Sequence, residues 1–489
     1  MEAPIPVRRT TLGRLGERGI EVPRFDPAAV RPGIVHLGLG GFHRAHMARY
    51  THELMNLDEA ALGWGIIGAG LLAADARIRD ALAPQDWLYI LVERDGATEQ
   101  PSAIASLHTV IHAAGDPTVL LDAIDGARIV SLTVTEHGYD LDPATKRLDP
   151  AHPRIVADLA DPTRPLSAVG VIAEGYRRRM AAGRPAFTAM SCDNIQHNGD
   201  VLADAVVDFA ALRDPALAEW IRTHARFPNT MVDRITPMTQ PDDIAALAAR
   251  YGVADAWPVF SETFSQWVIE DRFADGRPEW DRVGAQFVDD VAPYERMKLR
   301  LLNASHLAIA GIGRLAGYIY VDEALRDGAI RRYMTALMDR ETGPTLAPVP
   351  GVDLAAYKTA LVERFANPTI RDTVERVNSD APINYLLDPI RDRLAADESI
   401  ELLSLGVAAW LRRMRGVDES GRPIEIRHPL AALLRERAQA GGADPRPMLA
   451  IRPLFGELGE DERMIAAVGR WLTRLYSVGA AATLAGAAF

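Results

Sequence analysis

Gly38-Leu39-Gly40-Gly41-Phe42-His43 lies between an apolar run and a segment of helical periodicity. Residues 33–39 read as a short buried strand, and residues 43–55 carry apolar side chains at helical spacing. Strand, glycine turn and helix in this order are the context in which a backbone approaches a dinucleotide pyrophosphate. Gly38 sits where the tight turn is made and Gly40 where the backbone meets the ligand. Gly41 and Phe42 open the helix whose N-terminus favours negative charge. His43 stands where the common fingerprint has its third glycine, so a bare strand-turn-helix with glycines kept for packing stays open for this turn taken alone.

The pattern continues with a strand at 64–68, a helix through Ile78 and Leu82, and a strand at 87–92, a β-α-β-α-β run that is half of a doubly wound sheet. Uninterrupted apolar runs at 127–135 and 187–191 read as further buried parallel strands. From about residue 294 the periodicity turns helical, over 294–315, 323–340, 354–365, 399–415 and 460–475. A chain of 489 residues needs two large domains or three modest ones. The expected fold is therefore α/β: a Rossmann-type doubly wound domain over 1–287, binding the dinucleotide, and a mostly α-helical substrate and catalytic domain over 288–489.

Charge and cysteine content narrow the function. A net charge of −12 with no local basic patch argues against nucleic acid or an anionic lipid surface as partner. No stretch approaches the ~20 apolar residues that span a bilayer, and the start has no apolar signal region, so a cytoplasmic protein is expected. Cys192 is the only cysteine, which excludes an intramolecular disulfide and multi-cysteine zinc sites. Redox chemistry then has to come from a bound cofactor. An acidic residue normally ends the second strand and holds the adenosine ribose, but here no carboxylate precedes Asp75, and Arg77 and Arg79 follow. These residues do not fix NAD over NADP, so a nicotinamide dinucleotide, NAD or NADP, is expected as the cofactor.

The densest polar signal is Tyr294-Glu-Arg-Met-Lys298-Leu-Arg-Leu-Leu-Asn303-Ala-Ser-His306. At α-helical spacing Glu295, Lys298, Asn303 and His306 fall within an arc of about 140°, shared with Leu299 and Leu302. An apolar setting lowers a lysine pKa by desolvation, which makes a usable base, and an amide supplies a donor for a developing alkoxide. Taken alone, this face also fits a solvated helix side with one lysine and a core histidine. Tyr294 and Lys298 match Tyr-x-x-x-Lys, the tyrosine-base pair of short-chain dehydrogenases, but lie far beyond the glycine turn, whose spacing differs from that family; the match is taken as coincidence.

Several segments together resemble the long-chain mannitol dehydrogenase family of polyol-specific dehydrogenases. They are Gly33-Ile-Val-His-Leu-Gly, Thr133-Val-Thr-Glu-His-Gly-Tyr139, Ser191-Cys-Asp-Asn194, Phe227-Pro-Asn-Thr-Met-Val-Asp-Arg-Ile-Thr-Pro237, Gln266-Trp-Val-Ile-Glu-Asp271 and Lys298-Leu-Arg-Leu-Leu-Asn303-Ala-Ser-His306. The resemblance implies metal-independent interconversion of a polyol and its ketose, D-mannitol and D-fructose first, by a monomer. It implies Lys298 as general base, Asn194 and Asn303 as amides holding the reacting oxygen, and His306, Asp233 and Arg376 as binders of substrate hydroxyls. Glu295 becomes a proton-path group beside the lysine. Around Arg376 the chain reads Val377-Asn-Ser-Asp-Ala-Pro-Ile-Asn384 where many relatives have Asp-Gly-Ser, so hexuronate reductase and D-arabinitol dehydrogenase remain alternatives.

His43 and His46, with Glu53 further on, are zinc-ligand types, yet the pyrophosphate claims the same helix start and no metal is expected. Outside the dehydrogenases, a non-catalytic nucleotide-sensing protein would keep the turn, and a methyltransferase would leave the Lys-Asn-His helix unexplained.

Overall fold

Five short strands of near-continuous burial pair in parallel: β1 (Pro32–Leu37), β2 (Gly65–Gly70), β3 (Leu107–His112), β4 (Ile129–Leu132) and β5 (Thr188–Ser191). Their order is β3-β2-β1-β4-β5. Successive residues face opposite sides of the sheet: Ile34, Ile66 and Ile129 enter one apolar core, and Val35, Ile67 and Val130 the other. A sheet covered on both faces needs apolar residues at every position, which is why these strands read as runs. This is the expected Rossmann-type doubly wound sheet. Its strand order reverses between β1 and β4, and ligands of such sheets bind outside the carboxyl ends at that point.

The computed structural model describes residues 3–96, 98–142, 145–487 and 489. The chain divides into two units, Met1–Val291 and Ala292–Phe489. Among the described residues of the first unit lie two further three-stranded sheets. In one, Tyr89–Asp95 runs between Val259–Glu262 and Thr98–Ile104; in the other, Gln266–Glu270 runs between Thr230–Asp233 and Gln286–Val288.

The strand expected at 87–92 exists but is not the third strand of the parallel sheet. That place belongs to β3, whose polar residues suit an edge strand, while the more apolar 89–92 is central in its own sheet. Apolarity reports burial, not sheet membership. The helix expected over 43–55 is likewise divided at His46 (φ −117°, ψ −95°) into Gly41–Ala45 and Met47–Leu57. The carbonyls of Arg44 and Ala45, which a continuous helix would use internally, accept instead from the Tyr89 hydroxyl (2.6 Å) and the Arg234 guanidinium (2.5 Å).

The second unit is mostly helical, as expected. Its described residues form no strand, only the isolated bridges Tyr320↔Thr373 and Val417↔Pro423. Leu354–Phe365, Glu401–Arg413 and Glu462–Ala485 follow the expected segments. The single helix expected over 323–340 is interrupted at Asp327, whose carboxylate caps Gly328–Leu337 by accepting from the Ala329 N–H.

Candidate active site

Gly38 has φ +88°, and a Cβ there would overlap the Thr133 carbonyl oxygen, so only glycine permits this close approach of β1 to β4. The Thr133 hydroxyl donates to the Gly38 carbonyl (2.8 Å) and pairs with His36 Nε2 (2.9 Å). Gly40 is different: a Cβ would meet only Gly38 O, at an ordinary contact distance of 3.9 Å, so the glycine is not required for local packing. This turn, with Gly41 at the helix start and half-buried Phe42 stacked on His46 (4.9 Å), fits a dinucleotide. The missing third glycine has a physical substitute. The His43 ring stacks on His36 with centroids 3.5 Å apart, so two flat rings supply the helix-to-strand contact. Burial pulls both imidazoles down, His36 to about 3, which keeps the stacked pair neutral near pH 7.

At the tip of β2 the first carboxylate is Asp75, and it is half-buried over Gly70 with Oδ2 accepting the Leu72 N–H (2.9 Å).

The loops after β4 and β5 are joined by one buried carboxylate. Asp193 accepts from the N–H groups of Val134 (3.1 Å) and Thr135 (2.8 Å) and from the Tyr139 hydroxyl (2.8 Å), which also pairs with Ser191 Oγ (2.6 Å). Thr135 has φ +63°, unfavourable for a β-branched residue and costing about 1–3 kcal/mol. Burial raises the Asp193 pKa against the lowering effect of these donors. Asn194 follows, exposed at the carboxyl end of β5. Four residues on, the Asn198 amide donates to the carbonyls of Asp193 and Thr230 (both 2.9 Å) and accepts from the Thr230 N–H (2.9 Å). Thr230 begins the strand that ends at buried Asp233. Hydrogen bonds thus tie Gly38 to Thr133, Thr135 to Asp193, and Asp193 through Asn198 to Thr230, within the first unit.

Arg234, the next residue, is fully buried. It binds the Glu93 carboxylate, the Glu262 carbonyl and the Ala45 carbonyl at the helix break, so its guanidinium is a structural centre.

In the second unit the polar cluster lies on one long helix, but not a uniform one. Ala292–Met297 and Ala304–Leu315 are α-helical, and Lys298–Asn303 between them is a π-helical turn in which the Ala304 N–H donates to Leu299 O, five residues back. The α-helical angle expected across 295–306 therefore does not hold. The wider turn resets the phase between Glu295 and Lys298 on one side and Asn303 and His306 on the other. Lys298 and Glu295 are each 7 % exposed. Among the described residues Asn303 Oδ1 is a buried acceptor with no hydrogen-bond partner, so its hydrogen-bonding capacity is unused. Tyr294 donates its hydroxyl to Pro350 O (2.8 Å), so the Tyr-x-x-x-Lys match is a phenol committed to the backbone.

His306 stacks on Phe365 (4.4 Å) and its Nε2 lies 4.0 Å from Asp372 Oδ2. The same buried carboxylate holds Arg376 through Nε (2.6 Å) and Nη2. Asp372 thereby brings His306 and Arg376 together. Sequence reasoning missed it, although its four-residue spacing from Arg376 was a usable signal. Asp193 and Tyr139 were also missed, despite lying inside two of the segments that carry the resemblance. His46 Nε2 pairs with the Gln266 carbonyl (3.1 Å) and the His43 ring lies on His36, so these imidazoles serve packing. Among the described residues no group of three or more His, Cys, Asp or Glu side chains is placed to hold a metal ion.

Comparison with known proteins covers both units. The mannitol dehydrogenase Rossmann domain matches residues 32–282 and the mannitol dehydrogenase C-terminal domain matches residues 290–476. Mannitol 2-dehydrogenase of Aspergillus fumigatus is 40% identical over 478 residues, covering 95% of each chain. That of Pyricularia oryzae is 40% identical over 484 residues, 97% of this chain and 96% of its own. Among solved structures, the ternary complex of Pseudomonas fluorescens mannitol 2-dehydrogenase with NAD and D-mannitol aligns with a TM-score of 0.89 at 41% identity, covering 98% of this chain and 99% of that one. A D-sorbitol dehydrogenase in substrate-free form aligns at 0.87 with 33% identity, covering 95% and 97%. With both domains matched and identity sustained over nearly the whole length, the chain belongs to the mannitol dehydrogenase family.

Proposed function

We propose that this protein is an NAD-dependent polyol dehydrogenase that interconverts D-mannitol and D-fructose without a metal. The observation that carries the reading is buried Lys298 one π turn from Asn303, whose buried amide oxygen has no hydrogen-bond partner among the described residues. Gly38, Gly40, Gly41 and Phe42 would hold the dinucleotide, which when bound supplies the hydride acceptor and donor. Lys298 takes the proton of the reacting hydroxyl, and Glu295 passes it onward. The amides of Asn194 and Asn303 hold the same oxygen and stabilise the alkoxide as charge develops, without carrying charge themselves. His306, Asp233 and Arg376 bind further hydroxyls and fix which carbon presents its hydrogen. Residues 1–287 serve the cofactor and residues 288–489 supply most of the substrate machinery, in a cytoplasmic monomer. The described helices include none long and apolar enough to cross a membrane.

Arg376 would favour a hexuronate carboxylate as substrate, but its charge is already matched by Asp372, which favours a neutral polyol. The test is NADH absorbance at neutral pH with D-fructose, D-fructuronate, D-tagaturonate and D-xylulose in turn, before and after dialysis against a chelator. Oxidation with fructose, undiminished by the chelator, is expected. Oxidation only with a hexuronate would move the assignment to a reductase of those acids, and no turnover with either NADH or NADPH would leave a sensing protein.

A further inference from the structure

We infer that Asp193 is a positioning residue for Asn194, fixing the segment that presents this amide against the loop beside the glycine turn. The inference rests on the proposed role of Asn194 in holding the reacting oxygen. Asn194 is exposed at the carboxyl end of β5. Its neighbour is the opposite: Asp193 is buried and turns its carboxylate back under the loop that follows β4. Three donors converge on it, the consecutive N–H groups of Val134 and Thr135 and the Tyr139 hydroxyl. The main chain of the same residue is held as well, since its carbonyl accepts from Asn198.

Two observations show that this contact bears on geometry beyond filling space. Thr135 is held at φ +63°, a conformation that a β-branched residue keeps only when its surroundings impose it, and its N–H is the donor to Asp193 Oδ1. Two residues earlier, Thr133 donates to the Gly38 carbonyl, and its own carbonyl closes the space where a Gly38 Cβ would lie. The chain of contacts from Gly38 through Thr133 and Thr135 to Asp193 therefore ends one peptide bond from Asn194. A shift of about 1 Å in a group that must meet a reacting oxygen is worth up to about a hundredfold in rate.

Asparagine at 193 is isosteric but can accept at only one side, and its NH2 would face a donor. The test is a double-mutant cycle of Asp193→Asn with Asn194→Ala, read as kcat for D-mannitol oxidation, with NADH affinity followed by fluorescence titration. Asn194→Ala should lower kcat about a hundredfold. Asp193→Asn alone should lower it about tenfold while NADH affinity stays within about twofold, and in the Asn194→Ala background it should cost less than about twofold. Tyr139→Phe, which removes one donor and leaves the carboxylate in place, should show the same coupling with a smaller loss and carries the test if Asp193→Asn does not fold. A full tenfold loss persisting without the Asn194 amide, loss of NADH binding in step with kcat, or unchanged kcat in Asp193→Asn and Tyr139→Phe would overturn the inference while leaving the proposed activity intact. Wild-type kcat in Asn194→Ala would instead remove the role on which it rests.

Discussion

Lys298 and Asn303 are the first and last residues of a single π-helical turn. A π turn bonds each N–H to the carbonyl five residues back, so the two residues sit at the spacing of one hydrogen-bonded ring. The Asn303 amide oxygen is buried there without a partner among the described residues, an arrangement that costs stability.

This predicts opposite effects on activity and stability. Asn303→Ala should lower kcat about 10²-fold or more and leave the chemical denaturation midpoint unchanged or raised, because an unsatisfied buried acceptor is removed. A lowered midpoint together with near-normal kcat would show that the amide is structural.

The two glycines of the turn should separate in the same way. Gly38→Ala combines φ +88° with overlap on the Thr133 carbonyl and should cost about 2 kcal/mol or more of stability along with cofactor binding. Gly40→Ala makes only an ordinary contact and should leave stability within about 0.5 kcal/mol while weakening NADH affinity measured by fluorescence titration. Equal affinity in Gly40→Ala and wild type would mean the backbone at Gly40 does not approach the ligand.

Substrate choice should depend on Asp372. Its carboxylate is paired with Arg376 and lies near His306, so Asp372→Asn leaves the guanidinium charge uncompensated. The ratio of kcat/KM for D-fructuronate to that for D-fructose should rise about tenfold or more. An unchanged ratio would place Arg376 outside the determinants of substrate charge.

Acid sensitivity follows from buried histidines. Desolvation holds His52 down to about 3 from the usual 6.5. Between those values the unfolded chain binds the extra proton, so stability present above pH 6.5 is lost as pH falls towards 3. Lowering the pH from 7.5 to 5.5 should cost about 1.4 kcal/mol through this one group. His52→Asn keeps an acceptor for the Ala105 N–H and should shrink the measured pH dependence by about that amount. Identical pH dependence in both proteins would contradict the assignment.

Much of this architecture was legible because parallel strands buried on both faces leave an unmistakable apolar run, as at Ile34–Val35, Ile66–Ile67 and Ile129–Val130. What was not legible depends on partners distant in sequence. The break at His46 is made by Tyr89 and Arg234, and the edge strand β3 is disguised by its polar residues. The Lys298–Asn303 face was readable as a concentration of residue types, but its π geometry was not, since α-helical spacing is the default that any periodicity argument assumes. Asp193 and Asp372 escaped notice because a carboxylate that organises other residues looks, in sequence, like any surface acid.

Lys298 is the base in the proposed reaction. The most direct measurement is kcat for D-mannitol oxidation by Lys298→Ala, with NADH affinity measured on the same preparation and Tyr294→Phe as the comparison. The expected result is a loss of at least about 10²-fold in Lys298→Ala with cofactor affinity intact and only a mild effect in Tyr294→Phe. Near-normal turnover in Lys298→Ala, with activity abolished in Tyr294→Phe, would transfer the proton to the tyrosine and contradict the mechanism.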